Sequence, residues 1–181
     1  RENLGVRSIN TMMMAAIAAI IALVLASAGV SLWANGQQSA ARDRVGAASR
    51  LLRNHMTADM MHDAIRGDVL SILRAIRVGD LSLTDNRKAL EQDVATLRKT
   101  LAVDRAYAAA PEVVAAATQI QPQVDAYIAS ARSVAATAAV DQDRASTMLP
   151  AFLRTFHDLE SGMETVSNRL ETHLNLSLIH I

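Results

Sequence analysis

Two histidines, an aspartate and an arginine recur at the spacing of a helix face. His55, Asp59, His62 and Arg66 follow one another at steps of four, three and four residues, so on an α-helix they share one side. A guanidinium on this stripe permits an anion or small-acid site at Arg66, and Asp59 with one neighbouring histidine permits a metal site. His55 and His62 would stand about 10 Å apart along the axis, so both cannot bind one ion.

The same stripe has plainer interpretations. Charged and polar residues at helical spacing also form a solvated face, or a polar patch in an interface between two copies of a chain. These interpretations and the ligand sites remain open at the level of sequence. We therefore treat the four residues as candidate ligand-binding residues and predict no metal ion.

A second candidate group is expected at the far end of the same helix. Arg74 and Arg77 come near that end, and Arg144 and Thr147 come near the start of the last predicted helix. If the two ends meet, these side chains could face one another, and we treat them as further candidate ligand-binding residues. Ordinary solvated arginines beside a loop are the alternative.

Catalytic and cofactor motifs are missing from the sequence. With Cys 0 there are no thiolate zinc sites, iron–sulfur clusters or covalent haem attachments. There is no Glu-x-x-His pair for a di-iron bundle, no Gly-rich phosphate loop and no Ser-His-Asp set on rigid turns. Lys+Arg 18 balances Asp+Glu 18, which gives no reason to propose nucleic acid as a partner. We expect a protein that is not an enzyme and has no cofactor.

A membrane helix is the first element that must position these residues. No charged side chain occurs from Ser8 to Ala41, and the apolar part at 11–33 is long enough to cross the hydrocarbon core of a bilayer, about 30 Å. Arg7 precedes this span and Trp33 ends it, so both are expected at the membrane interface, with the N-terminal residues 1–10 in the cytoplasm. A cleaved signal peptide is the alternative. In either case the remainder is exported.

The remainder predicts an all-α fold. Aromatic residues make up 3%, and Gly 7 and Pro 3 leave few sites for strand turns. Glycine and cap-forming residues at 78–86 end the first helix near Arg77, and further helices are expected over about 86–109, 111–139 and from 141–146 to Leu174. Comparable lengths and short loops predict an antiparallel, up-down-up-down four-helix bundle over 34–175.

Apolar residues of the last three helices recur at alternating steps of three and four, which predicts buried seams. These seam residues are Leu90, Val94, Leu97, Leu101, Val113, Ala117, Ile120, Val124, Tyr127, Ala131, Val134, Ala138, Leu149, Phe152, Phe156, Leu159, Met163, Val166 and Leu170. Pro122 predicts a kink, Pro150 a helix start or a kink, and Gly67 a close helix approach or a local bend. Three methionines of the first helix are predicted as core: Met56, Met60 and Met61.

Two segments resemble a known family. Ala58–Leu70, which reads ADMMHDAIRGDVL, and Leu149–Ser167, which reads LPAFLRTFHDLESGMETVS, are similar to the ligand-binding region of bacterial methyl-accepting chemotaxis proteins of the four-helix-bundle type. The resemblance implies a homodimeric receptor of the bacterial inner membrane, with its bundle in the periplasm and a small-molecule ligand of anionic or other character. It also implies a second span, a HAMP linker and a signalling domain that contacts a cytoplasmic chemotaxis kinase and adaptor.

Two alternatives stay beside this resemblance. The same kind of bundle is found in front of histidine kinases and diguanylate cyclases, and a membrane-anchored adaptor bundle without a ligand has the same pattern. We also expect the chain to be a fragment. The last residues, 176–181, resemble a translated adapter sequence from library preparation, and a second span is expected soon after Leu174.

Overall fold

The computed structural model describes residues 2–79 and 83–179, with the side chains of 11–39, 42–79 and 83–175. All regular structure in these residues is helical: α1 Glu2–Val78, α2 Leu83–Arg105, α3 Pro111–Gln119, α4 Gln121–Ala138 and α5 Gln142–Ile179. The predicted all-α class is therefore confirmed. The chain divides into two compact units, Arg1–Gly46 and Ala47–Ile181.

The first unit consists of the first part of α1. Its best window has a mean hydropathy of 2.5 and none of that window is buried, which makes α1 the one helix in the described part of the chain that is apolar and long enough to cross a membrane. Two of its polar side chains bond to the helix itself, since the Ser27 hydroxyl donates to the Val24 carbonyl and that of Ser31 donates to the Ser27 carbonyl. Such internal bonds leave an apolar outer surface.

The second unit contains the rest of α1 together with α2 to α5. The loop before α2 falls partly in residues 80–82, outside the described residues, and α2 begins at Leu83 rather than near 86. It also ends at Arg105 rather than near 109, because Ala110 is extended at φ −132 and ψ 77. The residue before a proline avoids the helical region, so Pro111 forces the chain out of the helix before α3 starts.

Proline interrupts the third predicted helix, as expected, but it does not start the fourth. Instead of one helix over 111–139 there are two, α3 and α4, joined at Ile120 just before Pro122. The missing N–H of Pro122 explains the break. Pro150, by contrast, lies inside α5, which starts at Gln142 and continues to Ile179. The expected end near Leu174 is therefore wrong.

The predicted seams form the core of the second unit. All of the seam residues given above are buried except Leu149, which is half-buried at the edge of the core. Two of the three methionines contradict the prediction, because Met56 is 58% exposed and Met60 is 64% exposed. Gly67 is also exposed, with nothing close to its missing Cβ. The close approach occurs at Gly162, where a Cβ would lie 2.8 Å from Ile120 Cγ2.

Candidate ligand site

The polar stripe of α1 is divided between the core and the surface. His55 is 4% exposed and His62 is 2% exposed, whereas Asp59 is exposed and Arg66 is half-buried. A solvated face is therefore the wrong interpretation for the two histidines. The helical spacing identified one side of α1 correctly, but the packing of α2, α4 and α5 decides which of the four residues are covered.

His55 joins three helices through both ring nitrogens. Its Nδ1 lies 3.0 Å from Asp104 Oδ2 on α2, and its Nε2 lies 2.9 Å from the Ser167 hydroxyl on α5. A carboxylate only accepts hydrogen bonds, so the proton of the neutral ring is on Nδ1, and Nε2 accepts from Ser167. The imidazole thus fixes α1 against both neighbours at one level of the unit.

Asp104 is fully buried and is paired on both oxygens. Asn54 Nδ2 donates to Asp104 Oδ1 at 2.7 Å and to the Thr100 carbonyl, also at 2.7 Å. Together with the bond from His55, these contacts offset the cost of removing a carboxylate from water. We call Asn54, His55, Asp104 and Ser167 the polar layer.

In this layer a serine hydroxyl contacts a histidine, and the histidine contacts an aspartate. The same chain of contacts occurs in the catalytic triad of serine enzymes. Such a set was not predicted from the sequence, because these side chains project from helices rather than from rigid turns. The backbone amides beside Ser167 are bonded within α5, so the described residues offer no pair of free N–H groups for an oxyanion. We interpret the layer as structural.

His62 occupies an aromatic cluster. Its ring stacks on Phe156 with centroids 4.1 Å apart, and its Nε2 donates to the Phe156 carbonyl at 3.1 Å. The Tyr127 hydroxyl in turn donates to the His62 carbonyl at 2.8 Å. Burial lowers the pKa of His62 below its ordinary value, so the ring is neutral at pH 7, where it packs as an aromatic core residue.

Arg66 is already engaged within the chain. Its guanidinium lies 4.2 Å from the centre of the Phe156 ring and 3.0 Å from Asp63 Oδ1. A cation over an aromatic face and beside a carboxylate has much of its charge compensated. The geometry therefore gives no support to the anion site predicted at Arg66.

The distal group is not assembled. Arg74, Arg77, Arg144 and Thr147 are all exposed, and no hydrogen bond or ion pair joins the first two to the last two within the described residues. The backbone N–H of Arg144 donates to Asp141 Oδ1 at 2.9 Å, and the Thr147 hydroxyl donates to the Arg144 carbonyl at 2.7 Å. The first bond caps the start of α5, and the second lies within the helix. The exposed arginines match the alternative interpretation, solvated side chains beside a loop.

The two predicted membrane-interface residues lie in α1. Trp33 is 68% exposed, like the rest of the apolar segment, so its predicted place at a membrane interface stays a prediction. Arg7 lies in the helix, and its side chain is outside the described residues.

A groove of about 290 Å³ lies between α1 and α5, beside the polar layer. Four apolar side chains line most of it: Leu52, Met56, Leu170 and Leu174. Its polar lining comes from His55 and Ser167 in the middle and from Asp59 and Glu171. Two of the predicted site residues, His55 and Asp59, thus meet at one concave surface.

Both carboxylates of this groove are without an ion pair. Asp59 and Glu171 have no hydrogen-bonded cation in the part of the chain that the structure describes, and no Lys or Arg lines the groove. Both nitrogens of the His55 ring are bonded to Asp104 and Ser167. The groove therefore combines apolar walls with unneutralised negative charge.

A second, larger cavity of about 560 Å³ lies between α2 and α4. Its polar groups are used by the chain. Arg87 donates to the Ala135 carbonyl at 3.0 Å, and Arg132 forms a two-pronged ion pair with Glu91, whose pKa is lowered chiefly by that hydrogen bond. We therefore favour the groove between α1 and α5 as the ligand site.

The sequence analysis missed Asp104, Ser167 and Glu171. Asp104 could have been predicted, because it continues the three-and-four spacing of the α2 seam after Leu97 and Leu101. A carboxylate at such a buried position requires a hydrogen-bond partner. Ser167 and Glu171 had none, since they become site residues only where α5 lies against α1.

Neither a family model, nor a curated protein, nor a solved structure matches this chain.

Proposed function

We propose that this chain is the ligand-sensing and transmembrane signalling region of a methyl-accepting chemotaxis receptor. In this proposal residues 1–10 are cytoplasmic, 11–33 cross the bacterial inner membrane, and 34–175 form an antiparallel four-helix bundle in the periplasm. The receptor acts as a homodimer and controls a cytoplasmic kinase and its adaptor through a signalling domain.

The observation that carries the proposal is that α1 combines an exposed apolar segment with a segment buried in the core. This one helix, Glu2–Val78, contains an apolar segment with none of its best window buried. Further along, its residues Ile65, Val69 and Ile72 are fully buried in the core of the second unit. A helix that anchors in a bilayer and also packs in a bundle is the element that a transmembrane receptor needs.

The polar layer supports a signalling role for α1. Through His55 this helix is bonded to α2 and α5 at once, and the groove lies on the same side of it. A ligand shifts an equilibrium between two helix packings only by its difference in affinity for them. A small molecule that contacts both α1 and α5 has such a difference, because its site changes when one helix moves against the other.

Membrane topology is the first test. The chain has Cys 0, so single cysteines introduced by Asn3→Cys or Gln38→Cys can be labelled without background. In spheroplasts, a membrane-impermeant maleimide is expected to label the Gln38→Cys protein, and to label the Asn3→Cys protein only after lysis. The reverse pattern would overturn the orientation, and labelling of both in intact spheroplasts would overturn the span.

The native gene sequence that follows the codon for Leu174 distinguishes a chemotaxis receptor from a kinase, a cyclase or an adaptor. A second span, a HAMP linker and a methylatable helical hairpin are expected. A kinase or cyclase module would replace the chemotaxis assignment by the second class of sensor, and an immediate stop codon would leave a membrane-anchored adaptor bundle.

A further inference from the structure

We propose that the groove between α1 and α5 binds a linear organic dication, an alkyl chain with an ammonium group at each end. This inference rests on the proposed sensing function and names the chemical class of its ligand. It replaces the anionic ligand considered from the sequence.

The charge of the groove selects a cation. Asp59 and Glu171 both line it without an ion pair, and neither Lys nor Arg joins them there. Asp59 also has the Asp63 carboxylate in the following turn, although that group is paired with Arg66. An anion in this groove would meet uncompensated like charge, whereas an ammonium group would form charge-assisted hydrogen bonds.

The two carboxylates lie toward opposite ends of the groove. His55 contacts Ser167, and His62 contacts Phe156, so residue numbers rise along α1 as they fall along α5 across this contact. Asp59 is four residues beyond His55, and Glu171 is four residues beyond Ser167, in opposite directions from that shared level. At 1.5 Å per residue their backbones are separated by about 12 Å along the helix axes.

The walls between these carboxylates suit an alkyl chain. Leu52, Met56, Leu170 and Leu174 provide most of the lining, and Met56 is 58% exposed despite its contact with the groove. Burying alkyl carbons against such side chains is favourable by about 0.8 kcal/mol for each CH₂. A volume of about 290 Å³ lies at the lower end of the range for small-molecule sites. A slender chain therefore fits better than a fused ring system.

The test uses the full chain in an uncharged detergent and octamethylenediamine as the probe. Isothermal titration should show binding about two- to fivefold weaker for octylamine, which has one ammonium group, and weaker still for ethylenediamine, which is too short to reach both carboxylates and has few alkyl carbons to bury. This comparison uses only the unaltered protein. Equal affinity for octylamine and octamethylenediamine, or no binding of either, would overturn the two-carboxylate site.

Variants then locate the site. Asp59→Asn and Glu171→Gln should each weaken the binding of octamethylenediamine about two- to fivefold, as is typical of ion pairs at exposed positions, and should weaken it more when combined. The matched control is Glu164→Gln, an exposed carboxylate of α5 outside the groove. An equal loss in the control would show unspecific charge attraction and would refute the proposal.

The binding result is separable from the proposed function. If the diamine binds as expected but the cysteine labelling shows no membrane span, the ligand class stands and the receptor assignment fails. If the topology is confirmed and the diamine does not bind, the receptor assignment stands and this ligand class fails.

Discussion

Removing the Asp104 carboxylate tests whether the polar layer holds the second unit together. Asp104 is fully buried and accepts from His55 and Asn54. In Asp104→Ala the Nδ1–H of His55 loses its only acceptor, while Asn54 keeps the Thr100 carbonyl. Removing one partner of a buried ion pair lowers the free energy of unfolding by about 3–5 kcal/mol. The loss of a hydrogen-bond acceptor for two buried donors, at about 1–3 kcal/mol each, gives a similar figure.

The conservative variant separates hydrogen bonding from charge. In Asp104→Asn the amide oxygen still accepts from Asn54, and the amide N–H₂ donates to His55 Nδ1. The imidazole then carries its proton on Nε2 and donates to Ser167, so every partner is retained with the opposite tautomer. We expect this variant to lose only about 1 kcal/mol, the scale of one ordinary hydrogen bond.

Thermal unfolding followed by far-ultraviolet circular dichroism measures both effects in the full chain in mild detergent. For a unit of this size Asp104→Ala should lower the Tm by about 10–15 °C. The matched control is Asp125→Ala, which removes an exposed aspartate paired with Arg98 and should cost about 0–1 kcal/mol. If Asp104→Ala were no worse than this control, the polar layer would not be a buried, stabilising network.

Two further predictions concern single positions. Gly162→Ala should lower the free energy of unfolding by about 1–3 kcal/mol, because its Cβ would lie 2.8 Å from Cγ2 of the buried Ile120. Gly67→Ala should raise the free energy of unfolding by up to about 1 kcal/mol, because nothing lies within 4 Å of its new Cβ. Urea titration measures both variants. If their stabilities changed alike, the close packing of Gly162 would be contradicted. Burial, followed by the charge of Asp93 and a hydrogen bond to it, raises the pKa of Asp68 to about 6. The folded state therefore binds a proton that the unfolded state has lost between about pH 4 and pH 6, and its stability falls as the pH rises through that window. Asp68→Asn should be more stable than the unaltered chain by about 1 kcal/mol at about pH 8, a value reduced for the partial exposure of the group, and the difference should vanish near pH 4. An equal difference at both pH values, measured by thermal unfolding, would refute the assigned titration.

The sequence predicts the helices well where local rules decide them. The three-and-four spacing of apolar residues identified the buried faces of α2 to α5, with Leu149 as the one half-buried exception. Pro122 predicted the interruption between α3 and α4, because a missing N–H acts within its own helix. Pro150 was less informative, since α5 continues through it, and whether a helix tolerates a proline depends on the contacts around it.

The candidate site was only half predictable. Periodicity placed His55, Asp59, His62 and Arg66 on one side of α1, but it carries no information on which helix covers each residue. The split between a buried imidazole at His55 and an exposed carboxylate at Asp59 arises from the packing of α2 and α5. The partners of that imidazole are 49 and 112 residues away in sequence, so no local pattern connects them.

The polar layer also limits how a ligand in the groove can act. The bonds of His55 to α2 and α5 fix the level at which α1 sits against both helices. A hydrogen bond of 2.9 Å between His55 and Ser167 is lost beyond about 3.5 Å. Under the proposed function, a slide of α1 along α5 at right angles to this bond stretches it past that limit after about 2 Å, and a larger step requires a new partner for the imidazole. A dication that draws Asp59 and Glu171 toward its two ends favours one axial position of α1 relative to α5. The ligand and His55 thus act on the same displacement, and substitution of Ser167 by alanine should make that displacement easier without removing either carboxylate.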